Sequence, residues 1–516
     1  EAADTSAIDE SRRALGQTVV GDPRMSGEGA AQNIILRGGL SAGLGLVLRL
    51  GARVVFMFVA ARLFGAVAFG AYSLAVAIVE LAVAVGGLGM KRYLFKLLEE
   101  SGERPAGHVV LDAIVLAVAA SALLSAAIAA TALFTPASLL GAQTATGMLW
   151  AAPMVAGQAL IDVLGAATRW KHLMRYEVVS RSMVEPYVAT AGAVAAYLAG
   201  LTEAGLLVGY AAGTLAALAY TALGIRRCYG GLAVRSYRPN AAGLFGTLRE
   251  TAMPTTNDGA AALFYRLDLY LVGAFLGEAP AGIYAMARQF RTPIRQTRQA
   301  FDGLLTPIVA KTLSADGPVS TANAIASATR MILAIQLALV VALIAVGEPL
   351  LRWFGPAFAA GYLATVLLAA GETIQGAFSI TDLLLLYLRA QLAMLVTLVM
   401  SVVNVVAAVP LIMAFGIGGA ALSVLIAFLS GALLRRALLR TRFAVATPAL
   451  HSAGPLLAGA AAAVVAIVGH RYVPASDPVE LQLMLLAAVL AIYAGSLALW
   501  QRATGERLRL VGFRAA

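Results

Sequence analysis

Of 516 residues, 60% are hydrophobic and 13% charged, and the mean hydropathy is +0.83. Such a chain lies outside the range of soluble domains and reads as an all-α integral membrane protein. Alternating ten-residue strands are absent, which excludes an outer-membrane barrel. The net charge of +11 points to topology rather than nucleic acid, because the basic residues sit in loops on one side of the apolar segments.

A membrane-spanning helix needs about 20 apolar residues, and all its backbone groups must be satisfied internally. Fourteen segments meet this need: 36–61, 70–90, 109–133, 147–168, 182–200, 204–225, 253–276, 281–310, 326–347, 362–386, 391–414, 417–438, 450–470 and 481–501. We call them spans 1 to 14. Residues 1–35 precede them as a polar tail, without a charged and apolar signal-peptide pattern, and read as a cytoplasmic extension.

Span 1 carries Arg49 and Arg53, one helical turn apart, and span 2 carries Glu80. Spans 3 to 6 complete a first group over 36–225, with Asp112, Asp162 and Glu185 near the ends of spans. A basic linker follows at 226–252, broken by Gly230, Gly231 and Pro239. Span 7 holds Arg266 and Asp268. On span 8, Arg288, Arg291, Arg295, Arg298 and Asp302 fall within an arc of roughly 80° at 100° per residue. The four arginines make a ladder about 15 Å tall. On span 10, Glu372, Gln375, Ser379 and Asp382 share one face in the same way. Asn404 lies mid-span and reads as an interhelical hydrogen bond. The second group ends at 440. Residues 441–516 supply spans 13 and 14, whose apolar cores hold no ionisable residue, and a cytoplasmic tail.

An arginine facing lipid at the bilayer centre costs roughly 2.5–3.5 kcal/mol, so seven would cost on the order of 20 kcal/mol. Net stabilities are about 5–15 kcal/mol. Arg49, Arg53, Arg266, Arg288, Arg291, Arg295 and Arg298 must therefore line a polar interior, and a cationic cavity suits an anionic cargo. Arginine's planar fork matches phosphate oxygens. The alternative is that these arginines pair with carboxylates such as Glu80 or Asp268 and hold the bundle together. Glu372, Asp382, Asp268 and Glu80 are the candidates for coupling to H⁺ or Na⁺, or else counter-charges for the arginines.

With the N-terminus cytoplasmic, 27 of the 38 basic residues fall on the cytoplasmic side, three (Arg62, Arg352, Arg471) opposite, and eight within spans. That asymmetry predicts both termini in the cytoplasm. The far-side loops are too short for a catalytic domain. One cysteine, Cys228, precludes an internal disulfide, and four scattered histidines give no metal site. No G-x-x-x-x-G-K-[ST] loop is present, so ATP is not a direct energy source.

Residues 63–75, LFGAVAFGAYSLA, align with 275–287, FLGEAPAGIYAMA, at a constant offset of 212. Gly65, Gly70, Tyr72 and Ala75 match Gly277, Gly282, Tyr284 and Ala287. An offset of six spans preserves orientation, giving a parallel repeat of two six-helix lobes around a central cationic cavity.

The run from Ala61, ARLFGAVAFGAYSLAVAIVELAVAVGGLGMKRYL, resembles the signature between the first two helices of bacterial polysaccharide flippases of the multidrug/oligosaccharidyl-lipid/polysaccharide exporter superfamily. The run from Arg266, RLDLYLVGAFLGEAPAGIYAMARQF, and the trailing LTPIVAKTL with Pro307 resemble the corresponding second-half signature. The resemblance implies fourteen helices and translocation of an undecaprenyl-pyrophosphate-linked oligosaccharide from the cytoplasmic to the periplasmic leaflet of the inner membrane. It implies no cofactor and no enzymatic activity. Its implied partners are the lipid-linked glycan, the bilayer, H⁺ or Na⁺, and glycan polymerase and export machinery. The alternatives are a flippase for the peptidoglycan precursor lipid II, a multidrug cation antiporter of the same superfamily, and a membrane glycan polymerase or ligase. The arginines argue against the antiporter, and the short far-side loops against the enzyme.

Overall fold

The computed structural model describes residues 51–102, 104–136, 141–230, 232, 234–377, 379–445 and 453–504, apart from some side chains between 302 and 327 and at 379, 380 and 390. Arg49, the N-terminal tail and the end of the C-terminal tail lie outside the described residues. The chain divides into two compact units, Glu1–Val54 and Val55–Ala516. Of the first, residues 51–54 are described, and they are helical.

Every predicted span is helical over most of its described residues, and no strand occurs among them. Nine described helices, or ten counting the bent pair Ala142–Ala151 and Met154–Trp170, are long and apolar enough to cross a membrane. That number falls below fourteen for physical reasons. The continuous runs Gly51–Glu99 and Gln391–Phe443 each hold two predicted spans. Span 8, with its four arginines, is not among the nine helices. Span 5 is divided between Arg175–Val179, a π-helical turn Ser180–Val184 and Glu185–Leu198. Spans 8 and 9 run together through Thr292–Phe354 with a break at Gly317, and spans 11 and 12 through Ala390–Phe443 with a break at Gly416.

The repeat is visible in the backbone. Gly65 has φ 77°, ψ −178° and its counterpart Gly277 has φ 89°, ψ −172°. Both conformations are essentially reserved for glycine, so the same turn ends spans 1 and 7 and begins spans 2 and 8. Five residues on, the matched pair Gly70 and Gly282 lets the two helices meet backbone to backbone. A Cβ on Gly70 would overlap Glu278 and Gly282, and one on Gly282 would overlap Ala66 and Gly70. Two repeat-equivalent helices are thus pressed together at one end of the bundle. Phe69 against Phe358 and the Arg62 Nε–H donated to the Trp353 carbonyl (2.7 Å) close this end further.

The largest core cluster surrounds this contact, with Phe69, Tyr284, Met286, Leu351 and Phe358 buried. A second cluster ties Met90 and Leu94 of the helix Met90–Glu99 to Val109, Val110 and Val163. Spans 13 and 14 (Ala453–Tyr472 and Val479–Thr504) pack on span 9 through Ala458, Ala462, Ala466, Leu485 and Val489, and the Tyr493 hydroxyl donates to the Ala334 carbonyl (2.7 Å). Their outer faces expose Leu457, Val464, Ile467, Leu483, Met484 and Leu499. Apolar patches of that extent are untenable in water and natural against lipid tails.

Candidate functional site: a cationic cavity beside buried ion pairs

Span 8 is where sequence periodicity and structure part. The helix Glu278–Phe290 ends at Arg291, and a new one starts at Thr292 with Pro293 in its first turn. Proline lacks the N–H that would continue the first helix and favours a helix start. The ladder is therefore split into two pairs with different surroundings.

Arg288 and Arg291 turn into the protein. Arg288 Nη1 lies 3.6 Å from Asp268 Oδ1, and Nη2 donates to the Tyr265 carbonyl. Asp268 is fixed in turn by the fully buried Tyr284, whose hydroxyl donates to Oδ2 at 2.8 Å, and by the Leu269 N–H on Oδ1 at 2.9 Å. Arg291 Nε lies 3.6 Å from Glu372 Oε1, with both side chains only 4% exposed. Removing two charges from water costs several kcal/mol each, so such a pair persists only when its members neutralise one another.

Arg295 and Arg298 open instead onto a cavity of about 370 Å³ lined by Glu80, Ala262, Tyr265, Arg266, Arg295, Arg298 and Gln299. Arg266 reaches it from span 7 and is ion-paired with Glu80 of span 2. The Nε–H of Arg295 is buried with no hydrogen-bond partner. The described lining thus brings together three guanidiniums and one carboxylate, with Tyr265 and Gln299 beside them. Such a set has the chemistry to receive an anion with several oxygens.

On span 10, described as Tyr362–Ala377 and Ser379–Leu388, the residues of the predicted face meet different partners. Glu372 joins Arg291, whereas Gln375 and Asp382 converge on Arg435 of span 12. Arg435 Nη1 is 3.1 Å from Asp382 Oδ1, and Nη2 donates to Gln375 Oε1 at 2.8 Å. Counted in the sequence among cytoplasmic loop charges, Arg435 is buried, with its side chain 1% exposed. The carboxylates singled out in the sequence thus each face one guanidinium: Glu80 with Arg266, Asp268 with Arg288, Glu372 with Arg291, Asp382 with Arg435. Arg53 is exposed and lies in the first compact unit. The side chain of Asp302 lies outside the description. Asn404 accepts a hydrogen bond from the Ser423 hydroxyl (3.0 Å), joining spans 11 and 12.

A second polar network joins residues that lie near the ends of spans in the sequence. Arg181, on the π-helical turn of span 5, donates to Asp162 (2.7 Å), Glu185 (3.3 Å) and Gln158. The Gln158 amide donates to Glu185 (2.7 Å) and Thr214 (3.0 Å). The spacings Gln158/Asp162 and Arg181/Glu185, each i,i+4, carried that signal. The network fastens spans 4, 5 and 6. Among the described residues no group of three or more His, Cys, Asp or Glu side chains could hold a metal ion.

The architecture is that of known transporters. A solved structure titled "Lipid II flippase MurJ, inward closed conformation" superposes with a TM-score of 0.72 at 14% identity, covering 90% of this chain and all of that one. A multidrug resistance MATE family transporter of the MOP superfamily, in an inward-facing conformation, gives 0.58 at 14% identity over 77% of this chain and 94% of its own. The MATE multidrug transporter DinF-BH gives 0.51 at 17% identity, over 77% and 93%. These likenesses establish the fold. A comparison with curated proteins finds no match. Residues 35–313, more than half of the sequence, match the polysaccharide biosynthesis protein family, and the chain belongs to that family.

Proposed function

We propose that the protein is a flippase for an undecaprenyl-pyrophosphate-linked oligosaccharide, carrying it from the cytoplasmic to the periplasmic leaflet of a bacterial inner membrane. Residues 36–225 and 253–440 act as two lobes joined by the linker 226–252, with both termini cytoplasmic. The lobes rock about the cavity between them. One observation carries the reading: a cavity lined by predicted spans gathers Arg266, Arg295 and Arg298, and Glu80 is the one carboxylate in its described lining. That balance attracts a pyrophosphate and repels the organic cations of a multidrug antiporter.

The seven arginines do different work on this reading. Arg266, Arg295 and Arg298 contact the pyrophosphate, and Arg49 and Arg53 of span 1 are further candidates for binding the cargo. Arg288 and Arg291 position span 8 through Asp268 and Glu372. Transport draws on a gradient of H⁺ or Na⁺ through Glu372, Asp382, Asp268 or Glu80. Each is matched to an arginine in this state, so an ion reaches a carboxylate only when its guanidinium has changed partner.

The test is translocation in proteoliposomes, comparing a lipid-linked oligosaccharide with lipid II, which carries the same pyrophosphate. Faster movement of the oligosaccharide, lost in Arg295→Ala and Arg298→Ala, supports the reading. Preferential movement of lipid II would assign the cavity to the cell-wall precursor, and movement of neither would remove the flippase reading.

A further inference from the structure

Spans 2 and 7 form an antiparallel seam along the bundle. Going along it, Leu74 lies over Gly273, the Tyr270 hydroxyl donates to the Ala77 carbonyl (2.6 Å), and Glu80 meets Arg266. Beyond that, Val85 lies against Gly259 and Pro254 against Gly89. Then Arg92 is 3.6 Å from Asp258, and Lys96 is 3.7 Å from Glu250. The seam changes character at Glu80. On one side it is held by close apolar packing and the tyrosine's bond to a backbone carbonyl. On the other, close contacts at Gly259 and Gly89 alternate with ion pairs whose members are mostly a third to four-fifths exposed. Pairs of that exposure are individually weak and readily exchanged.

Glu80 is the single charged residue in Gly65–Gly86. A lone carboxylate in an apolar span is costly, so its use has to be sought in what it touches. It projects into the cationic cavity and occupies the fork of Arg266, which an anionic ligand would otherwise take.

We propose that Glu80 is a built-in stand-in for the cargo's phosphate. In the cargo-free protein it neutralises Arg266 and holds span 2 to span 7. An incoming pyrophosphate, with more charge and two-pronged geometry, displaces it and so unfastens the ion-paired half of the seam. Arrival of cargo is thereby coupled to separation of the two helices. Glu80 is a positioning residue in this scheme, and the proposal rests on the flippase reading above.

The experiment uses the full chain in lipid nanodiscs, with undecaprenyl pyrophosphate as the probe. Removing the internal competitor, Glu80→Gln should bind the probe about two- to fivefold more tightly than the parent, a gain that loss of a structural staple would not produce. Arg266→Ala should bind more weakly. In a Cys228→Ser background, the pair Val85→Cys and Gly259→Cys reports the seam. Cross-linking should fall when the probe is added to the parent, and be low without probe once Glu80→Gln is included. If Glu80→Gln binds no better than the parent while Arg266→Ala still loses affinity, the stand-in role is overturned and the flippase reading stands. If the parent does not bind the probe, both fall.

Discussion

The buried pair Arg291–Glu372 offers a sharp quantitative test. Both side chains are 4% exposed and their charged atoms lie 3.6 Å apart. Arg291→Met leaves the Glu372 carboxylate without its ion-pair partner in a site sealed from water. Breaking a buried pair from one side costs about 3–5 kcal/mol, because the abandoned charge has neither water nor partner. Glu372→Gln strands Arg291 instead, at the lower end of that range, since the amide oxygen still accepts from the guanidinium. The double variant removes both charges and should recover most of the loss, because hydrophobic replacement of a whole buried pair is often neutral. With a residual loss of about 1–2 kcal/mol in the double variant, the predicted coupling energy is therefore about 4–7 kcal/mol, above the usual range for residues in contact. Unfolding in mixed micelles, followed by circular dichroism for the parent, both single variants and the double variant, measures it. Single-variant losses below about 1 kcal/mol that simply add would refute the reasoning. Arg291 and Glu372 would then not be a mutually neutralised pair.

Other expectations follow from the same geometry. Arg295→Ala and Arg298→Ala should each lower affinity for a lipid pyrophosphate about 10- to 150-fold, the worth of one charge-assisted contact, while lysine at either position restores only part of it; binding isotherms on folded protein check this. Gly282→Val should force the helices Gly65–Gly86 and Glu278–Phe290 apart, because its Cβ would overlap the Ala66 and Gly70 backbone, and loss of a cross-link between engineered cysteines at Ala66 and Gly282's neighbour Ala281 would report it. Tyr237 lies in the linker, outside the spans, and donates to Asp112 Oδ1 at 2.7 Å. Burial, and then that carboxylate, push its hydroxyl up to about 12. A raised acid favours the protonated form in the folded state, so its stabilisation is complete below pH 10 and is lost as pH rises from about 10 to 12. The ultraviolet tyrosinate difference between the parent and Tyr237→Phe should titrate near the upper value. Reporter fusions should be periplasmic at Gly355–Gly361 and cytoplasmic within 226–240, and the reverse at both would overturn the orientation.

Much of the architecture was legible because it rests on one-dimensional signals. Apolar length gave the spans, and an offset of 212 gave a repeat whose Gly65 and Gly277 turn out to share an uncommon backbone conformation. The desolvation cost of arginine placed a cationic interior inside the bundle. What the sequence could not supply was the division of labour among those arginines. Helical periodicity gives a shared face but not what lies beside it, and here Arg288 and Arg291 meet buried carboxylates while Arg295 and Arg298 line the cavity. Ion-pair partners are also a three-dimensional property. Arg266 and Glu80 are 186 residues apart in sequence, and Arg435 and Asp382 are 53 apart. Arg435 lies near a span end, where a basic residue reads as a loop charge. Only its convergence with Gln375 and Asp382 shows that it is interior.

The most direct test of the central claim is head-group dependence of binding. Native mass spectrometry of the full chain should be recorded with undecaprenyl pyrophosphate, undecaprenyl monophosphate and undecaprenol, alongside a variant with Arg266, Arg295 and Arg298 all replaced by alanine. The account predicts binding in the order pyrophosphate, monophosphate, alcohol, with the order abolished in the triple variant because only tail contacts remain. Equal binding of all three lipids by the parent, or an unchanged order in the triple variant, would contradict a cationic cavity that recognises the cargo's phosphates.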